Sequence, residues 1–299
     1  MKRLGILFIL GSLLFSCTPK LKESINTDNK FSFVFMTDIH VEPERNATKG
    51  LLQAIDTINK LAPDFVLTGG DNIMDALAQS WERSDSLYNL YIETTSHLKM
   101  PVFSTIGNHE NFGLYEKSGI QPTHEDYGKK MYEKRIGKRY YSFDHKNWHF
   151  VVLDGIGFTP DRHYYGVVDS VQIEWLKKDL EATGKDVPVA VSIHIPLLSI
   201  GEQIMDNPNA ALSKSTVITN AHEVIGILEK YNVKLVLQGH LHFLEDIYYN
   251  GIHYITGGAV SSNWWQGPRF GMEEGFVKVD VAGDDFTWEY IDYGWTVDE

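Results

Sequence analysis

Five short stretches of this sequence carry side chains suited to holding divalent cations. They are Asp38-Ile39-His40, Gly70-Asp71-Asn72, Gly107-Asn108-His109-Glu110, His194-Ile195-Pro196 and Gly239-His240-Leu241-His242. The candidate ligands are two carboxylates (Asp38, Asp71), one amide (Asn108) and four imidazoles (His40, His194, His240, His242), with no thiolate. Hard oxygen with borderline nitrogen suits Mn²⁺, Fe or Zn²⁺ rather than Cu⁺ or an iron–sulfur cluster. Seven donors exceed the four of one tetrahedral zinc. They fit two divalent ions that share a carboxylate at the ~3.5–4 Å spacing of hydrolytic pairs. If His240 and His242 lie on an extended segment, alternate side chains point one way, so each can serve one ion. Glycines at 70, 107 and 239 let the backbone turn sharply beside such ions.

Each stretch follows a run that predicts a β-strand: Phe31 to Thr37, Asp64 to Thr68, Pro101 to Ile106, Val187 to Ile193 and Val233 to Gln238. Ligands of α/β sheets sit at the carboxyl ends of strands, so endings of this kind around one crevice make a site. Helical spacing of apolar residues predicts helices over Lys49 to Leu61, Ser84 to Leu98, Val171 to Leu180 and Val217 to Tyr231. Tyr140 to Asp144 and Trp148 to Asp154 predict a hairpin, as do Phe243 to Tyr249 and Ile252 to Thr256 around Asn250-Gly251. Phe276 to Val281 and Phe286 to Ile291 complete the strands. The mixed order predicts an α/β fold of two packed mixed sheets flanked by helices, with the C-terminal strands completing the second sheet. No Pro/Gly/Ser-rich linker divides residues 31–299, which are therefore expected to form one domain.

The chain has 299 residues, 43% of them apolar, enough for one large core and unlike a collagen, a coiled coil or a disordered chain. One cysteine excludes a disulfide scaffold. The formal charge of −13 repels polyanions, so a duplex nucleic acid is not the expected partner. Residues 1–17 have Lys2 and Arg3 before the apolar run from Leu4 to Phe15, the pattern of a secretory signal. That run is shorter than the ~20 residues of a membrane span. Leu14-Phe15-Ser16-Cys17 resembles a bacterial lipoprotein processing box, with Cys17 as the lipidated residue; plain secretion without a lipid is the alternative. Residues 18–30 are polar and aperiodic and read as a tether. Residue 18 is not Asp, which by resemblance to sorting signals implies an outer-membrane anchor facing the periplasm, with the lipid as the one membrane contact.

The ordered set Asp-X-His, Gly-Asp-Asn, Gly-Asn-His-Glu, His and Gly-His-X-His, spanning residues 38 to 242, resembles the calcineurin-like metallophosphoesterase superfamily. The resemblance implies a four-layer αββα sandwich. It implies that Asp38, His40 and His242 bind one ion, that Asn108, His194 and His240 bind the other, and that Asp71 bridges them. His109 would be catalytic, stabilising the transition state or protonating the leaving oxygen. Purple acid phosphatases carry a tyrosine ligand three residues after the bridging Asp; this chain has Met74 there, so an Fe(III)–tyrosinate centre is not expected. Two ions would neutralise a phosphoester and let hydroxide exist at neutral pH for in-line attack on phosphorus.

The expected function is hydrolysis of a small-molecule phosphoester, with a lean to phosphodiesters because the Asp-X-His first site resembles family diesterases. The alternatives are a phosphomonoesterase or nucleotidase, and a non-catalytic surface scaffold, which the filled ligand positions argue against. His97, His124, His145, His149, His163, His222 and His253 fall in no motif and read as structural or solvated. Glu110 could orient a neighbouring His or be solvated. In the segment 257–269, Trp264 and Trp265 read as core packing, with pocket lining the alternative, and Arg269 could hold a phosphate oxygen. Residues 155–168 read as a long loop over the cleft, with Tyr164 and Tyr165 as candidate substrate contacts.

Overall fold

Both faces of the first strand are apolar, and this sets the layering. A computed structural model of the chain describes residues 29–297; Cys17, the signal segment and nearly all of the tether lie outside them. Strand β1 (Lys30–Met36) buries Phe31, Phe33 and Phe35 on one side and Val34 and Met36 on the other. It pairs in parallel with β2 (Phe65–Thr68), and β2 with β3 (Val102–Ser104). Parallel neighbours need a crossover, and the helices α1 (Ala47–Leu61) and α2 (Trp81–Thr95) supply it. Leu51, Ala54, Ile55 and Ile58 of α1, with Leu87, Tyr88 and Tyr91 of α2, cover the Val34–Met36 face. Ser80 caps α2 by accepting a hydrogen bond from the Arg83 amide at 3.3 Å.

A short helix, α3 (Lys130–Arg135), leads into the hairpin of β4 (Tyr141–His145) and β5 (Trp148–Val152). The second sheet continues from β5 through β8 (Val189–Ser192) to β9 (Val233–Gln238), all parallel. The hairpin of β10 (Leu244–Tyr249) and β11 (Ile252–Gly257) closes its far side. Its outer face is covered by α4 (Ser170–Thr183), through Ile173, Leu176 and Leu180, and by α6 (Ala221–Leu228), through Val224, Ile225, Ile227 and Leu228. Between the sheets lies an aromatic layer in which Phe33 stacks on Phe65 at 5.0 Å and meets Phe150 edge-on at 5.4 Å. Each buried Phe contributes ~1.5–3 kcal/mol, and the layer clamps the two sheets face to face. The result is the four-layer αββα sandwich.

Four details differ from the sequence expectation. The last strands, β12 (Gly275–Ala282) and β13 (Asp285–Asp292), join the first sheet beside β1, so only β10 and β11 extend the second. Val277, Val279 and Val281 alternate into the aromatic layer, and β1 offers the free edge that receives them. The expected helix from 217 begins only at Ala221, because Ile218 pairs with Gly166 and donates its amide to the Pro196 carbonyl. Residues 155–168 are not a plain loop but carry a small hairpin, β6 (Ile156–Phe158) with β7 (Tyr164–Gly166). The short helix α5 (Gly201–Met205) was not signalled by periodicity.

Candidate metal centre

Strands β1, β2, β3, β8 and β9 end at one edge of the sandwich, and the five donor stretches meet there. The chain leaves β1 through Thr37, and the Asp38 amide donates to the Gly70 carbonyl at 3.0 Å. The His40 amide then donates to the Asp71 carbonyl at 2.9 Å, and Val41 bridges to Ile73. The two loops are zipped together before any side chain is considered. Asp38, His40, Asp71, His240 and His242 all adopt left-handed backbone, with φ of 54°, 45°, 51°, 72° and 50°. Such conformations cost non-glycine residues about 1–2 kcal/mol each and persist only where the surroundings over-determine them. At Gly239 a Cβ would lie 2.1 Å from Thr37 Oγ1 and 2.7 Å from Asp38 Oδ2, so only glycine permits this approach.

Three donor groups result, each with its ligand atoms within 4.8 Å of one another: Asp38 with His40 and His242, Asp71 with His194 and His240, and Asp71 with His40 and His109. His242 Nε2 lies 3.2 Å from Asp38 Oδ1 and 3.0 Å from His40 Nε2. His194 Nε2 lies 3.1 Å from Asp71 Oδ2 and 3.2 Å from Asn108 Oδ1. His40 Nε2 is 3.7 Å from the same Asp71 oxygen. Asp71 thus stands between the two ends of the cluster. All seven candidate ligands named from sequence are brought together, and Asp38, His40, Asp71, Asn108, His194 and His242 are buried. None of the seven histidines outside the motifs joins a donor group among the described residues.

The outer partners set ring orientation. The Nδ1 of His194 donates to the Gly69 carbonyl at 2.8 Å and leaves Nε2 facing Asp71. His242 Nδ1 faces the Ser262 carbonyl. Asp38 Oδ2 accepts from the Thr37 hydroxyl at 2.6 Å and the His240 amide at 2.9 Å. Glu110, open between two roles in the sequence, is fully buried. It orients no histidine; its carboxylate accepts from the amides of Asp71 at 3.1 Å, Asn72 at 2.5 Å and Gly107 at 2.7 Å, tying the β2 loop to the β3 loop.

Burial and crowding split the protonation states. Burial pulls the Asp38 carboxyl up, but His242 outweighs it and holds the group at about 2. Burial likewise opposes Asp71, and His194 and His109 hold it well below the usual carboxylate range. Burial followed by the Asp71 charge pushes Glu110 up to about 7. For His194, burial is overcome by Asp71 and the value rises to about 9. Burial and His194 press His240 down to about 4, and burial and His109 press His40 well below its ordinary value. The downward shifts favour the neutral imidazole at His40 and His240, the form a metal ligand requires, whereas the Asp71 charge favours the protonated form of His194, whose Nε2 proton a bound cation would displace. The Nδ1 atoms of His40 and His240 are buried without a protein hydrogen-bond partner, a cost that a bound cation would relieve wherever such a nitrogen faced it. The donor set and its orphaned nitrogens fit a pair of divalent ions.

His109 lies at the mouth, its side chain 25% exposed. Its Nε2 is 3.8 Å from Asp71 Oδ2 and its Nδ1 is 3.7 Å from Asp75 Oδ1, a neighbour the sequence reading missed. The expected core role holds for Trp265, which is buried and donates Nε1 to the carbonyls of Ile39 and His40, each at 3.0 Å. It does not hold for Trp264, whose ring lies 4.6 Å from the His242 ring and 6.0 Å from that of His40. The left-handed turn at Trp264 and Trp265 throws the two rings to different surroundings. Tyr164 meets His240 edge-on at 6.0 Å, while Tyr165 lies against Gly157.

A family profile described as "Calcineurin-like phosphoesterase" matches residues 31–244. The chain is 24% identical over 267 residues to a probable cyclic nucleotide phosphodiesterase of Xenorhabdus bovienii, covering 84% of this chain and 96% of that protein. It is 25% identical over 288 residues to purple acid phosphatase 3 of Arabidopsis thaliana, covering 88% of this chain and 75% of that protein. Among solved structures, a dimetal phosphatase of Danio rerio superposes with a TM-score of 0.64 at 16% identity, covering 89% of this chain and 97% of that one. At that identity the likeness speaks for the fold.

Proposed function

The chain belongs to the calcineurin-like phosphoesterase family, and from that premise we propose that it is a phosphodiesterase acting on small molecules at a centre of two divalent ions. The observation that carries this reading is the position of Asp71, which shares donor groups with both ends of the cluster. Asp38, His40 and His242 are assigned to one ion, and Asn108, His194 and His240 to the other, with Asp71 between them. When bound, Mn²⁺, Fe or Zn²⁺ supplies positive charge for the phosphoryl oxygens and a water acidified to near neutrality.

The rest is the work of the chain. The Thr37 hydroxyl fixes the second oxygen of Asp38, and the His240 amide is shared between both oxygens at 2.9 and 3.1 Å, so the carboxylate is held with its first oxygen beside His242. Glu110 holds the amides that carry Asp71 and thereby sets its approach. His109, at the mouth, donates a proton to the leaving oxygen, with Asp75 beside its other nitrogen. Diester rather than monoester substrates are supported by the Asp38-Ile39-His40 first site and by coverage of nearly the whole Xenorhabdus bovienii protein.

Parallel assays of the metal-loaded protein on bis-p-nitrophenyl phosphate and p-nitrophenyl phosphate test the substrate class; faster turnover of the monoester overturns it. Asp71→Asn is expected to bring turnover to background with the fold intact, and retained turnover removes the shared-carboxylate assignment. We also propose export and lipidation at Cys17, with anchorage in an outer membrane facing the periplasm. Radiolabelled palmitate should enter the wild type and not Cys17→Ala, and labelling of neither leaves plain secretion.

A further inference from the structure

Arg269 is a partly buried cation in no contact ion pair among the described residues, with the Asp38 carboxylate acting on it only at a distance. Although the chain carries 40 acidic residues, the one polar contact of its guanidinium among the described residues is to a backbone carbonyl. Its one side-chain hydrogen bond runs from Nη1 to the Leu241 carbonyl at 3.3 Å, between His240 and His242. A guanidinium offers five N–H donors in a planar fork, so most of this one's capacity is unused by the protein. Its other support is aromatic: the guanidinium lies 5.0 Å from the Trp264 ring and 5.3 Å from the Phe270 ring. Trp264 in turn packs against His242. The stack carries a positive fork to the rim of the metal cluster without making it a ligand.

The loop that holds it is pre-set. The Arg269 amide donates to Ser262 Oγ at 2.9 Å, and Arg269 and Met272 exchange backbone hydrogen bonds at 3.1 and 2.8 Å. The strained turns at Ser262, Trp264, Trp265 and Phe270 are anchored by the buried Trp265. A cation so fixed gains little by waiting for water and much by meeting an anion that offers two oxygens to its fork, as a phosphoryl group does. The donor groups would hold the ions that take the phosphoryl to be cleaved, and Arg269 belongs to none of them, which leaves its fork for a second anion of the same molecule.

The geometry points to Arg269 as the receptor for a second phosphoryl group of the substrate, which makes diphosphate-linked diesters the favoured class within the diesterase reading on which this inference rests. The full chain, metal-loaded, is assayed as wild type, Arg269→Gln and Arg269→Lys on UDP-glucose and on bis-p-nitrophenyl phosphate. In Arg269→Gln the KM for UDP-glucose should rise roughly tenfold or more relative to the KM for bis-p-nitrophenyl phosphate, as loss of a charged hydrogen bond predicts. Arg269→Lys, which keeps the charge but not the fork, should recover part of it. Calorimetric titration with α,β-methylene-ADP should show a matching loss of affinity. Equal shifts on both substrates, no shift on UDP-glucose, or unchanged calorimetric affinity overturns the assignment. If the wild type turns over neither ester, the diesterase reading fails, and the calorimetric comparison still decides whether Arg269 receives a phosphoryl anion.

Discussion

A carboxylate faces each nitrogen of the His109 ring, Asp71 on one side and Asp75 on the other. That position suits proton delivery more than coordination. His109→Ala should lower kcat about 10²–10⁴-fold. Bound metal, read by inductively coupled plasma mass spectrometry, should stay at the wild-type ratio; parallel loss of metal would make His109 a ligand instead. Glu110 supports the site through backbone rather than side chains. In Glu110→Gln an amide group must face backbone N–H donors, which should cost about 1–3 kcal/mol in chemical denaturation; an unchanged midpoint would mean the carboxylate bonds are dispensable. The seven ligand candidates were legible because each follows a strand in the chain. Asp75, Glu110 and Trp264 were not, since their roles arise from contacts across 34, 38 and 22 positions respectively, which no local pattern encodes.

Among the elements, α4 and the β4–β5 hairpin are joined by His149, whose nitrogens lie 2.9 Å from Asp179 Oδ2 and 2.7 Å from Asp144 Oδ1. Burial pulls this imidazolium down, but its hydrogen bonds to the two carboxylates outweigh it and the net shift is upward. A histidine bound more tightly as the cation in the folded state contributes fully below its unfolded pKa of ~6.5 and loses that contribution as pH rises through the higher folded value. The Tm difference between wild type and His149→Gln should therefore shrink from pH 6 to pH 9, and a constant difference would assign the contact no charge. In α1, Gly50 makes room for the Trp265 ring, since a Cβ there would sit 2.2 Å from it. Helix propensity alone favours Ala by about 1 kcal/mol. Overpacking costs about 1–3 kcal/mol, so Gly50→Ala should lower Tm and disturb the loop carrying Trp264. Strand order within each sheet was the less legible part: the valines of β12 announce a strand, but only pairing with β1 decides which sheet receives it. Ile218 likewise satisfies a helical pattern while bonding as extended chain.

At the scale of the whole molecule, the two sheets are held by one aromatic layer and meet at one cluster of donors. Ions that bind there should cross-brace the halves. At a hundredfold excess over Kd the linkage is about 2.7 kcal/mol, which for a body of this size is roughly 5 °C in Tm. Added Mn²⁺ or Zn²⁺ should give that rise in the wild type and not in Asp71→Asn; a rise in both would place the ions elsewhere. The four-layer plan was legible because alternation and helical spacing record which faces are buried, and β1 writes both layers in seven residues. The left-handed ligand positions carry a further consequence. Backbone comfort there favours a residue without a side chain, while turnover demands a large polar one. Chemistry and foldability pull against each other at the same five addresses. In a lineage freed from its substrate, drift toward a sturdier chain would erase those addresses before it touched the sandwich, leaving a well-folded relic whose silence is written first in glycines.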